Sequence, residues 1–144
     1  NKAGAYDIQI YDPSAPPPPP PVTIRWGSVE KATAVVPKGP NKKYLILNVE
    51  NYGTSPQVGY VEITVVDENR GQPVFSDQKY ITVPAGTTGR FDVYADTTNW
   101  PRTRMKATAS LYSEDKKTSL GSNYAKFHCG VPGIPGEMMM LLGF

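Results

Sequence analysis

From Val22 to Cys129 the sequence alternates apolar and polar residues with a period of two. Clusters of glycine, proline, asparagine and aspartate interrupt it roughly every 8–12 residues. A two-residue period puts every second side chain on one face of an extended strand, and no stretch sustains the 3.6-residue period of an amphipathic helix. This confines the chain to an all-β architecture. Val61, Ile63 and Val65 share a face, as do Phe91, Val93 and Ala95. Met105, Ala107, Ala109 and Leu111 form a third such set, and Ala125, Phe127 and Cys129 a fourth. Tyr44 to Val49 is nearly continuous and apolar, as a central strand should be. Weaker runs are Val22 to Trp26, ending at Gly27; Ala32 to Val36, stopped by Pro37; Val74-Phe75; and Lys79 to Val83.

The breaks are turns with recognisable chemistry. Asp67-Glu68-Asn69-Arg70-Gly71 reads as a hairpin loop with glycine where positive φ is needed. Asn51 to Pro56, Pro84-Ala85-Gly86 and Ser113 to Lys117 read as further turns. Seven or eight short strands punctuated this way predict an antiparallel immunoglobulin-like β-sandwich, with a jelly roll as the alternative.

A chain of 144 residues suits one domain, placed at residues 22–129. Lysine and arginine are interspersed with acids, and the net charge is only +2, which argues against a nucleic-acid partner. The single cysteine, Cys129, precludes an intrachain disulfide. No apolar run is long enough to span a bilayer as a helix. The chain begins at Asn1 rather than methionine, which fits a processed, secreted chain or an excised fragment.

Between Tyr44 and Cys129 the motifs Asn51-Tyr52-Gly53, Val61-Glu62-Ile63-Thr64-Val65, Ile81-Thr82-Val83-Pro84-Ala85-Gly86 and Arg90-Phe91-Asp92-Val93 follow one another. In this order they resemble the cell-adhesion-related, immunoglobulin-like domains of bacterial and archaeal surface proteins. The resemblance implies a sandwich at the cell surface and supplies no catalytic residues.

Two segments flank the domain. In residues 1–21, the alternating stretch Ala5 to Asp12 is followed by six consecutive prolines, Pro16 to Pro21. Such prolines extend about 19 Å as a polyproline II rod and cannot join a ladder. A strand on a rod must find a sheet in its own domain or in a neighbour. Tyr6, Ile8 and Ile10 would face a core, with Tyr11 on the other side. Residues 130–144 form a glycine- and proline-rich tail ending in Met138, Met139, Met140, Leu141, Leu142 and Phe144. Large apolar side chains at a terminus are costly in water and call for burial in the domain or at a subunit interface.

Few residues suggest chemistry. His128 and Cys129 are adjacent, and a strand points adjacent side chains to opposite faces, so neither a metal site nor a nucleophile–base pair follows. Cys129 is expected to be a buried small hydrophobe and His128 a surface or rim residue. The acidic pairs Asp67/Glu68 and Glu114/Asp115 lie on turns and lack a calcium-loop spacing. Trp100 followed by Arg102, Arg104 and Lys106 offers an aromatic platform beside a basic stripe. With Tyr94, it is a candidate glycan-binding surface. The alternative is a charged solvent face that discourages edge pairing.

The reading is therefore a non-enzymatic extracellular or cell-surface structural subunit without a cofactor. It would self-associate by strand addition through its arm into a filament or surface layer. Alternatives are a glycan-binding sandwich module, with surface polysaccharide as partner, and a virion structural protein.

Overall fold

The computed structural model describes residues 21–130. They form eight strands: β1 (Ile24–Lys31), β2 (Val35–Val36), β3 (Lys42–Asn51), β4 (Gln57–Asp67), β5 (Gln72–Val83), β6 (Thr88–Ala95), β7 (Arg104–Ser113) and β8 (Ser119–Cys129). One sheet has the order β1-β3-β6 and the other β2-β8-β7-β4-β5. All pairings are antiparallel except β2 with β8, which is parallel. This is the sandwich that the alternation predicts. The arm expected in residues 1–21 and the tail expected in residues 130–144 lie, apart from Pro21 and Gly130, outside the described residues.

The core is built from the faces the pattern assigned. Leu45, Leu47, Val49 and Val93 of the three-stranded sheet are buried against Val61, Ile63, Val65, Met105 and Leu111 of the other. Ala107 and Ala109 on β7 are small, which lets the larger chains interdigitate. At one end Tyr44, Phe75, Trp100 and Phe127 close the core as an aromatic cluster, Trp100 lying 5.4 Å from Tyr44 and 5.5 Å from Phe75 between ring centroids.

Three strands differ from expectation. β1 starts two residues later than the alternation suggests and continues past Gly27 to Lys31. The register shifts between Trp26 and Ser28, so Gly27 marks a bulge instead of an end. Of Ala32 to Val36 only Val35 and Val36 pair, in parallel with His128 and Cys129. β5 runs without a break through Ser76-Asp77-Gln78, because an edge strand tolerates polar residues on both faces.

Gly59 sets how closely the sheets approach. A Cβ there would lie 2.7 Å from Ile24 Cδ1 and 3.1 Å from Leu111 Cδ1. Gly59→Val is expected to lower stability by about 1–3 kcal/mol through overpacking. The readout is a lower urea midpoint at unchanged slope, and an unshifted midpoint would show that the spacing is set elsewhere.

Candidate functional site

Alternate residues of the five-stranded sheet point away from the core, and strand register assembles them into rows. Tyr80, Tyr60 and Tyr112 stand side by side on β5, β4 and β7. Their ring centroids are 5.0 Å apart for Tyr60–Tyr80 and 6.2 Å for Tyr60–Tyr112. The next row is Gln78, Glu62, Ser110 and Ser122, and the one after it Ser76, Thr64, Thr108 and Tyr124. Lys106 pairs with Lys126 and Arg104 with His128 beyond them. The outcome is an open field of hydroxyls around Glu62, bounded by tyrosines at two corners.

Both corners carry cations. The turn after β7 is held by Asp115, whose Oδ1 accepts from Ser113 Oγ at 2.6 Å and from the Lys117 amide at 3.0 Å. These bonds hold the Asp115 carboxyl below the usual carboxylate range. Lys116 takes up a left-handed conformation there, φ 67°, and its Nζ lies 4.4 Å from the Tyr60 centroid and 5.9 Å from that of Tyr80. Desolvation pushes the Tyr60 phenol up while Lys116 opposes it, and the group remains a neutral hydroxyl. At the other corner Lys106 Nζ lies 4.4 Å over Tyr124 and Lys126 Nζ 6.0 Å from the same ring. Lys126 also bridges to Glu68 at 2.7 Å, a bond that holds the Glu68 carboxyl below its ordinary range.

Exposure separates rings that are available from rings that are structural. Tyr80 is 56% and Tyr124 52% exposed, whereas Tyr60 is buried between its neighbours. Tyr60 therefore supports Tyr80, and the exposed pair presents aromatic surface to solvent. Counting three strand spacings and four residues of rise, the two lie about 20 Å apart.

The expected platform at Trp100 is not there. Trp100 is only 4% exposed and packs against Tyr44, Phe75 and Phe127, so its faces belong to the core. Arg102 precedes β7, with its side chain against Gly130, and does not continue the stripe of Arg104 and Lys106. Tyr94 is exposed on the opposite sheet, paired in register with Lys43. The outer face there is largely charge-paired: Arg25 to Glu50 at 2.9 Å, and Lys43 and Arg90 both to Asp92.

Cys129 is fully buried, and burial pushes its thiol pKa up. His128 lies on the other face, its Nδ1 3.0 Å from the Gly130 carbonyl. Asp67 is buried and accepts from the Asn69 and Arg70 amides. It sits at the end of β4 opposite to the Glu114/Asp115 turn, so the two acidic pairs do not converge. Among the described residues no three His, Cys, Asp or Glu side chains form a metal-binding group, and no helix is long and apolar enough to cross a membrane.

No family model matches the chain, and no curated protein does. Solved structures match in fold. The C-terminal domain of wzt is 8% identical, with a TM-score of 0.57, over 76% of this chain and 74% of that one. Bacteroides uniformis β-glucuronidase 2 is 14% identical with a TM-score of 0.54, over 74% of this chain. Red sea bream transglutaminase is 15% identical with a TM-score of 0.51, over 79% of this chain. This chain spans 14% of the glucuronidase and 18% of the transglutaminase. At such identities the likeness is one of fold: an all-β sandwich.

Proposed function

We propose that this domain is a non-catalytic binding module for an anionic polysaccharide, and that the outer face of the five-stranded sheet is its binding surface. The observation that carries the reading is the pair of exposed tyrosines, Tyr80 and Tyr124, set at the corners of a hydroxyl-rich face and each accompanied by lysine. Tyrosine rings offer an apolar face to the C–H side of a sugar and a polar edge to its hydroxyls. Thr64, Thr108, Ser110 and Ser122 supply short donors and acceptors between them. Lys106, Lys116 and Arg104 favour carboxylate or sulfate groups over neutral sugars. A flat face spanning several strands suits a chain of sugars better than a single one. Such a module would work where its polymer is, at the cell surface or outside the cell. The occurrence of the same fold within a β-glucuronidase accords with this reading and is not its basis.

Affinity electrophoresis tests it. Retardation is expected in gels containing polygalacturonate, weaker at high salt because exposed charges are screened. The double variant Tyr80→Ala/Tyr124→Ala should weaken binding by about tenfold or more, the loss of two stacking contacts. Failure of charged and neutral polysaccharides alike to retard the protein would sink the proposal.

A further inference from the structure

The two flanks of the sandwich are closed differently. On one side Trp26 Nε1 of β1 donates to the Gly121 carbonyl of β8 at 3.0 Å, tying the sheets together, and β2 covers part of the β8 edge. On the other side no described strand lies beside β6, which pairs with β3 alone. β5, across the flank, belongs to the other sheet. Ile81 and Val83 of β5 are buried, but Phe75, Asp77 and Lys79, which share their inward face, remain half-exposed. Among the described residues the five-stranded sheet thus extends past β6 by one strand.

The two free edges are not equally protected. β5 carries Pro73 and the inward charges Asp77 and Lys79, devices that discourage edge pairing. β6 has none: its core-facing residues are Gly89, Phe91, Val93 and Ala95. Tyr44, whose ring meets the half-exposed Phe75 of β5 at 6.4 Å between centroids, has its hydroxyl buried without a hydrogen-bond partner among the described residues. An orphaned buried hydroxyl is rare enough in a native fold to mark a place where something is still to be added.

We propose that this flank accepts residues 5–12 of a second copy of the chain, added as a fourth strand beside β6. The match is one of length and pattern. β6 has eight residues, and Ala5 to Asp12 is an eight-residue alternating segment whose Tyr6, Ile8 and Ile10 would cover Phe91, Val93 and Phe75. The length of the proline run favours a neighbour over the strand's own domain. Pro21 is pinned where the chain enters β1, its carbonyl accepting from Gln57 Nε2 at 3.4 Å. From β1 to a position beyond β6 is about three strand spacings, roughly 14 Å. Six prolines in polyproline II would span about 19 Å, so a strand docked in its own domain would need Pro13-Ser14-Ala15 to double back. Each copy would give a strand and receive one at a different surface, a head-to-tail relation that propagates without closing. This inference is independent of polysaccharide binding.

Sedimentation velocity of the full chain over a range of concentrations tests it, beside the variant Ile8→Asp/Ile10→Asp, whose changes lie outside residues 21–130. The full chain should form a concentration-dependent series of oligomers, and the variant should stay monomeric with an unchanged melting temperature. Hydrogen exchange at residues 88–95 locates the contact: amides of β6 should exchange about tenfold or more slowly in the oligomer than in the variant. Three results would overturn the proposal. One is a full chain that is monomeric throughout; another is association that survives the double substitution. The third is a monomer whose β6 protection is lost in the variant, which would place the strand in its own domain.

Discussion

Trp100→Ala is expected to destabilise the domain by about 3–5 kcal/mol, the range for removing a large aromatic from a packed core. Trp100 joins Tyr44, Phe75 and Phe127, which come from both sheets, so its loss opens a cavity at the end of the sandwich. The cavity would not collapse easily. Thr97, three residues earlier, is anchored to the turn before β3: its Oγ1 donates to the Pro37 carbonyl at 2.8 Å and accepts from the Gly39 amide at 3.0 Å. The connection from β6 to β7 is held in place whether or not the indole fills the gap. Urea denaturation followed by tyrosine fluorescence measures the effect. Retention on polygalacturonate by the fraction that stays folded should be unchanged, since the indole is remote from Tyr80 and Tyr124 on the outer face. A large loss of retention with little loss of stability would return Trp100 to the role of ligand platform.

Trp100 also shows where a sequence misleads. Its neighbours Arg102 and Arg104 make it look like a surface residue, but it sits in a connection, where alternation does not dictate direction. Inward faces were legible wherever a strand is buried on one side: β4, β6, β7 and β8 each carry every second apolar residue into the core. Turn glycines were equally plain, Gly71 and Gly86 having φ of 68° and 67°. β5 was harder to read because an edge strand has little to bury. The tyrosine row was hidden for another reason. Tyr60, Tyr80 and Tyr112 are far apart in the chain and meet only through the register of two strand pairs. Nine scattered tyrosines give no sign of which three will align.

Asn51→Ala is expected to cost about 3–5 kcal/mol, more than its small volume suggests, because one buried amide satisfies four partners in three segments. Asn51 Nδ2 donates to the Val83 carbonyl at the end of β5 and to the Ser55 carbonyl, each at 2.9 Å. Its Oδ1 accepts from Thr23 Oγ1 at 2.7 Å and from the Gly53 amide at 2.9 Å. The turn it caps is tight, since a Cβ on Gly53 would clash with Thr23 Oγ1. Alanine removes all four bonds and leaves two carbonyls, an amide and a hydroxyl to find water at a site where Asn51 is only 2% exposed. Asn51→Asp separates hydrogen bonding from size. A carboxylate keeps the two acceptor contacts but sets negative oxygen against the carbonyls of Val83 and Ser55, and should be no more stable than alanine. Thermal or urea unfolding of the three proteins gives the order. The same network fixes where the chain enters β1, since Thr23 is one of its members and Gln57 Oε1 accepts from the Thr23 amide at 3.2 Å. Loss of Asn51 should therefore loosen the chain around Thr23, where it enters β1, before the sandwich as a whole unfolds. Faster amide exchange at Thr23 and Tyr52 than at β7, in the folded variant, is the expected sign; equal acceleration everywhere would mean that Asn51 acts on global stability alone.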